Sequence, residues 1–386
     1  KYISFIMEIS NSQKEKLIYI LKKLIQIPTE NPPGKTEEVV NFLINEVFRE
    51  EEGFHNEIIT YMKDDVELHN LVTKIGSGKK KILLSGHFDV VPVGDQTKWT
   101  YPPFSAKIVD GKIHGRGSAD MKGGITSLIG VMKNLISNPD FMENYEVIFL
   151  GTADEEAGMT GSYLLSKKGF VNNADLIIIA EPTNLNVGVA GKGLLWATIQ
   201  VTGKSAHGSM PQEGYNAIEG VFEIIPQIYN CLEDKSNKIL GRSTINIGKI
   251  HGGTKINIVP DYAELEIDFR LIPEQEHEKV ISNLRKIELE PYSIDINITN
   301  TLQSLLTDIN NRFIQNLKNI TNSEFIGLSY ATDACIYINP SNFIPFVIFG
   351  PGDPNIVHKP NEWIQLEQVY QATEFLIDAL TKTYLK

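Results

Sequence analysis

Several short apolar runs in this chain stop at a residue that can ligate a metal or move a proton. Lys81-Ile-Leu-Leu-Ser-Gly runs into His87, with Asp89 two residues on. Val147-Ile-Phe-Leu-Gly leads to Asp154-Glu155-Glu156, and Leu176-Ile-Ile-Ile-Ala ends at Glu181-Pro182. Apolar runs of this length, closed by Gly or Pro, read as strands buried on both faces. Helical spacing appears before them, at Leu17 to Ile25, and between them, from Asp120 through Leu135. Strands alternating with helices make an α/β sheet. Open sheets of that kind bind ligands outside the carboxyl ends of their strands, so polar residues scattered in sequence can converge there. His87, Asp89, Asp120, Asp154, Glu155, Glu156, Glu181 and His358 are the expected cluster.

The pattern changes between Lys192 and Asn300. Strands are predicted at Leu195–Val201, Thr244–Ile250, Ala263–Leu271 and Ser293–Ile298, with helices at Tyr215–Leu232 and Glu274–Leu289. That order, β-α-β-β-α-β, is a ferredoxin-like split unit. A helix around Phe313 and a buried strand at Phe343–Phe349 then resume the α/β style. A chain of 386 residues exceeds the size at which one core usually stops growing, so two domains are expected. The predicted organisation is a catalytic α/β domain over 1–191 and 301–386, with an α+β domain inserted over 192–300.

Composition narrows the function. A net charge of −12 argues against nucleic acid, whose binding draws on clustered Lys and Arg. No apolar run approaches the roughly 18 to 20 residues that span a bilayer, so no membrane association is expected. The opening Lys1 to Met7 is too short for a signal peptide, and Met7 is a candidate start. Cys231 and Cys335 stand far apart with no thiol or His at metal spacing, which suits buried thiols in a reducing compartment such as the cytoplasm.

A lone His at a strand end is more often hydrogen-bonded structure than ligand. Several imidazoles and carboxylates together suit Zn²⁺ and neighbouring divalent ions. Two such ions need one carboxylate between them, and they lower the pKa of bound water to about 7.

The same residues carry a family resemblance. Ser85-Gly-His87-Phe-Asp89-Val-Val-Pro92, Gly115-Arg-Gly117-Ser-Ala-Asp120-Met-Lys-Gly-Gly124, Asp154-Glu155-Glu156 and Ala180-Glu181-Pro182-Thr183 closely resemble the M20 metallopeptidase family, in particular its acetylornithine deacetylase and succinyl-diaminopimelate desuccinylase group. The resemblance extends from about Leu17 to the last helix. It implies a zinc-peptidase-like catalytic domain, with a mixed sheet and helices on both faces, plus an inserted lid and dimerisation domain. It further implies two Zn²⁺, for which Co²⁺ or Mn²⁺ could substitute, with Asp120 between them, His87 and Glu181 completing one site, and Glu156 and His358 the other. Glu155 would be the general base for attack by a bridging hydroxide. Asp89 would bond the far nitrogen of His87 and fix its tautomer.

In the inserted domain, Gly203-Lys-Ser-Ala-His207 resembles the family's oxyanion-stabilising His motif, which in dimeric relatives reaches a partner's site. Asn257 and Arg270 match segments that hold a substrate carboxylate, and Gly350 would bring backbone close to the substrate. The plainer alternatives are a surface-loop His, a strand-surface ion pair and a turn glycine. The implied substrate is an N-acyl amino acid, with a dipeptide as the alternative, and the implied assembly is a homodimer pairing through the Leu195–Val201 edge and the helix from Tyr215. A non-catalytic member binding an amino-acid-like ligand is the competing class. Such a member would be expected to have lost a ligand or the base, and here every one of these positions is filled.

Overall fold

The computed structural model describes residues 7–339 and 342–385. The reading of the extreme N-terminus as no signal peptide falls on residues 1–6, outside the described residues. The chain forms two compact units, one of Lys1–Val189, Thr307–Ile326 and Thr332–Lys386, the other of Ala190–Leu306 with Gly327–Ala331.

In the first unit the sheet runs β1-β2-β4-β3-β5-β7-β6, where β1 is His55–Lys63, β2 Val66–Ile75, β3 Lys80–His87, β4 Tyr145–Thr152, β5 Leu176–Ile179, β6 Val187–Gly191 and β7 Phe346–Ile348. β3 pairs in parallel with β4 and β5, and β7 in parallel with β5. β1, β2 and β6 run against their neighbours, so the sheet is mixed. Every residue of Ile82–His87, Val147–Thr152 and β5 is buried, which is why these strands carry continuous apolar runs rather than alternation. β1 lacks that signature because only Ile59 of it is buried. It is an edge strand, reversed into β2 by a two-residue turn in which Asp64 and Asp65 both take positive φ, as the tightest hairpins require.

Helix α1 (Asn11–Gln26) starts at a capping box in which Ser10 and Gln13 satisfy each other's backbone amides. It packs with α2 (Gly123–Leu135) and α4 (Leu366–Tyr384), and α4 also packs on α3 (Arg312–Thr321). The helical run expected from Asp120 begins three residues later. Asp120 (φ −120°, ψ 96°) and Met121 (φ −128°, ψ 30°) are not helical, because the segment before Gly123 forms an irregular loop.

In the second unit, strands Gly193–Thr202, Thr244–Gly252, Tyr262–Leu271 and Ser293–Leu302 and helices Ala217–Tyr229 and His277–Leu284 follow the β-α-β-β-α-β order. The sheet is antiparallel, with Tyr262–Leu271 between Thr244–Gly252 and Gly193–Thr202, and Ser293–Leu302 on the other side of Gly193–Thr202. Alternate residues, among them Leu195, Ala197, Ile199 and Val201, join Val221, Ile224, Val280 and Leu284 in one core. One expectation is overturned here. Leu195–Val201 is paired on both sides and offers no free edge, so any edge-to-edge association falls to Thr244–Gly252 or Ser293–Leu302.

Candidate active site

Because β3, β4, β5 and β7 run the same way, their carboxyl ends meet at one edge of the sheet. His87 lies opposite Thr152, two residues before Asp154, and Ser85 lies opposite Ile179, two residues before Glu181. The loop after β7 brings in His358, and the loop before α2 brings in Asp120.

Asp120 occupies the centre of the cluster. Its Oδ1 is 3.2 Å from Nε2 of His87 and its Oδ2 is 3.1 Å from Nε2 of His358. Oε1 of Glu181 stands 3.8 Å from Nε2 of His87, and Oε1 of Glu156 stands 3.2 Å from Nε2 of His358. Donor atoms of His87, Asp120 and Glu181 all lie within 4.8 Å of one another, as do those of Asp120, Glu156 and His358. Ligands at about 2.0 Å around a tetrahedral ion stand roughly 3.3 Å apart, so both triads fit one ion each in spacing and in donor type.

The electrostatics agree with a cation-binding design. Burial pushes the carboxyls of Glu155 and Glu181 well above the usual carboxylate range, and neighbouring carboxylates push the same way. Asp120 goes the other way: despite burial, its contacts with His358 and His87 hold it below that range. Contact with Asp120 and Glu156 raises His358 to about 10. Acids crowded at this density retain protons unless a cation replaces them.

Glu155 lies beside the two triads rather than inside one, with Oε2 4.0 Å from Nε2 of His87. Its position is set from behind. Asp89 accepts the amide N–H of Glu155 on Oδ1 and that of Glu156 on Oδ2, each at 3.1 Å. This corrects the role expected for the Asp89 carboxylate. Nδ1 of His87 instead faces the Asp89 backbone carbonyl at 2.9 Å, and the carboxylate is 3.8 Å away because the two amides claim it.

Two supporting residues escaped the sequence reading. Nδ2 of Asn31 donates to Asp89 at 2.8 Å and to Asp154 at 3.0 Å, and Nζ of Lys63 donates to both oxygens of Asp154 at 2.6 and 2.7 Å. They hold Asp154 at φ 71°, a left-handed conformation that turns the chain so that Glu155 and Glu156 follow in the required directions. The Asn31-Pro32-Pro33-Gly34 sequence signals only a turn, and Lys63 ends the edge strand β1, which carries no apolar run.

Gly350 is tied to the Glu181 segment. Its amide donates to Oγ1 of Thr183, and a Cβ there would stand 2.5 Å from the Ala180 carbonyl oxygen and 2.6 Å from that of Glu181. Gly350→Ala must therefore displace backbone that carries a candidate ligand. The expected cost is about 1–3 kcal/mol in urea unfolding, and a stability equal to that of the unaltered protein would contradict this packing.

In the second unit, His207 is exposed and pairs with Ile258 across a short bridge. Its Nδ1 accepts the Ser209 amide at 3.2 Å, so in the neutral ring the proton belongs on Nε2, leaving that nitrogen as a donor. The Asn257 carbonyl accepts the Gly208 amide at 2.8 Å, which places Asn257 beside the same turn. Arg270 is elsewhere in this unit. It is eight residues of extended strand from Tyr262, about 26 Å at roughly 3.3 Å per residue, and its Nε donates to Asp268 at 3.0 Å. Within this unit the structure groups His207 with Asn257 and does not bring Arg270 to them.

A mixed α/β sheet with paired His–carboxylate triads at its strand ends defines a class, the metal-dependent hydrolases of metallopeptidase type. Comparison with known proteins narrows it. Residues 83–382 match the model of peptidase family M20/M25/M40, and the chain belongs to that family. It is 31% identical to a probable succinyl-diaminopimelate desuccinylase of Staphylococcus aureus strain MSSA476, over 97% of this chain and 98% of that one. It is 30% identical to an acetylornithine deacetylase of Vibrio parahaemolyticus, over 86% and 88%. Among solved structures, an M20 family metallo-carboxypeptidase from Sulfolobus solfataricus superposes with a TM-score of 0.75 at 21% identity, covering 97% of this chain and 99% of that one. Among the described residues no helix is long and apolar enough to cross a membrane.

Proposed function

We propose that the protein is a dinuclear metal amidohydrolase that releases an amino acid from an N-acyl amino acid. The observation that carries this is the single carboxylate of Asp120 turning one oxygen to each of two His–carboxylate triads, with the carboxyl of Glu155 beside them. His87, Asp120 and Glu181 would hold one ion, and Asp120, Glu156 and His358 the other. When bound, two divalent ions would polarise an acyl carbonyl and lower the pKa of water enough to make hydroxide available near neutral pH; Zn²⁺ suits the donor set, as do Co²⁺ and Mn²⁺.

The chain's own residues then have distinct tasks. Glu155 takes the proton from the attacking water and delivers it to the leaving amine nitrogen, where the C–N bond breaks. Asp89 keeps Glu155 and Glu156 in register through their amides. His207 donates from Nε2 to the developing oxyanion, in a position supplied by a partner subunit, and Asn257 accompanies it. Arg270 grips the substrate carboxylate with the two terminal nitrogens that its Nε contact to Asp268 leaves available. The homodimer this requires fits the separation of Arg270 from His207 and Asn257 along their unit. The exposed side chains of Phe222 and Tyr229 on the Ala217–Tyr229 helix offer it an apolar face.

The named activities of the two relatives favour an N-acyl group over a peptide. The test is a screen of the metal-loaded protein against N-acetyl and N-succinyl amino acids and dipeptides, repeated after chelation. An N-acyl amino acid standing out by kcat/KM, with activity lost to chelator and restored by Zn²⁺ or Co²⁺, is expected. Preference for dipeptides would transfer the protein to the peptidase branch, and full activity without metal would end the proposal.

A further inference from the structure

Glu362 lies four residues beyond His358 and is 1% exposed, yet its carboxylate faces the loop that carries Asp120. Oε1 accepts the amide N–H of Ala119 at 2.9 Å and that of Asp120 at 3.2 Å. Oε2 accepts the amide of Gly117 at 3.1 Å and Nη1 of Arg116 at 2.8 Å. The contact is reciprocal. Arg116, 2% exposed, reaches out of the Asp120 loop, and its Nη1 also donates to the Lys359 carbonyl at 3.2 Å, beside His358. Its Nη2 donates to the Pro92 carbonyl at 3.3 Å, and the ring of Trp99 lies 5.2 Å from the guanidinium carbon.

One buried ion pair thus fastens together the two segments that present Asp120 and His358. The irregular dihedrals of Asp120 give its side chain no helical frame, and three amides of that loop, those of Gly117, Ala119 and Asp120, end on a single carboxylate. Hydrogen bonds to a charged group are roughly twice as strong as those between neutral groups, so a carboxylate that accepts three amides and a guanidinium holds its loop firmly.

Resting on the two-ion reading above, we infer that Glu362, together with Arg116, is a positioning residue that holds Asp120 midway between His87 and His358 and thereby sets the spacing of the two ions. Groups that support metal ligands in this way typically contribute 10–100-fold to metal affinity.

Three measurements test this. In the unaltered, metal-free protein, hydrogen exchange of the Gly117, Ala119 and Asp120 amides should be as slow as that of the buried strand Lys80–His87; exchange at the rate of an open loop would overturn the inference without any variant. Glu362→Gln puts an amide NH₂ against N–H donors whichever way it settles, those of Gly117 and Arg116 or those of Ala119 and Asp120, and R116M/E362M removes both charges together, so that no lone charge stays buried. Both variants, checked for native circular dichroism, should exchange those amides faster, bind Zn²⁺ roughly 10–100-fold more weakly in equilibrium dialysis, and lose the magnetic coupling of a Co²⁺ pair. A folded R116M/E362M protein that binds two ions as tightly as the parent would refute it. If the parent itself takes up no metal, the two-ion reading fails and this inference with it; two ions in the parent and unchanged variants remove only the role of Glu362.

Discussion

Glu155→Gln should lower kcat by about 10²–10⁴ while leaving two bound ions and a nearly unchanged KM. The substitution is isosteric, and the backbone amide of residue 155 still donates to Asp89, so the turn that positions both acidic side chains survives. What disappears is the ability to accept a proton, since an amide oxygen is far less basic than a carboxylate. Glu155 suits that task because it lies beside the two triads rather than inside one, so its carboxylate is not spent on an ion and stays within reach of the site. Its neighbour gives the control. Glu156 faces His358 at 3.2 Å inside a triad, so Glu156→Gln should weaken metal uptake before it affects proton transfer. Kinetics combined with a metal count on the two variants separates the roles. A Glu155→Gln protein with full metal content and near-parental kcat would remove Glu155 from the chemistry.

The sheet and the core of the site were legible in the sequence for one physical reason. Strands buried on both faces announce themselves as apolar runs, and a parallel arrangement puts whatever follows each run at the same edge; His87, Glu155, Glu156 and Glu181 could be gathered on that basis alone. The supports were not legible, because they act across long sequence separations and have no local pattern. Lys63 meets Asp154 from an edge strand whose exposed faces carry no apolar run, and Asn31 meets Asp89 from a loop whose composition signals only a turn. Glu362 meets Asp120 across the sequence from near the last helix. Asp89 is an intermediate case: its presence at the site could be read, but which hydrogen bonds its carboxylate makes depended on how the chain turns after Thr152. The same limit explains the central position of Leu195–Val201, since alternation in a strand reveals which face is buried and says nothing about how many neighbours flank it.

Asp120→Asn should reduce the metal content from two ions to one and take activity down with it, by at least the 10²-fold typical of losing a precisely placed electrostatic group. The argument is one of lone pairs. A carboxylate offers acceptor oxygens on both sides, and here Oδ1 looks to His87 and Oδ2 to His358. An asparagine of the same shape keeps one oxygen and replaces the other with NH₂, a donor with no electron pair for an ion. Whichever way the amide settles, one triad is left with only its His and Glu. The retained ion should still protect the fold, because a ligand at a hundred times its Kd adds about 2.7 kcal/mol to stability, so the thermal midpoint should rise on Zn²⁺ addition, but by less than in the parent. Metal analysis after dialysis, run beside a Zn²⁺ titration of the thermal midpoint, reads both quantities. Two tightly held ions in Asp120→Asn would mean that Asp120 is not shared between the two triads and would force a different assignment of the bridge.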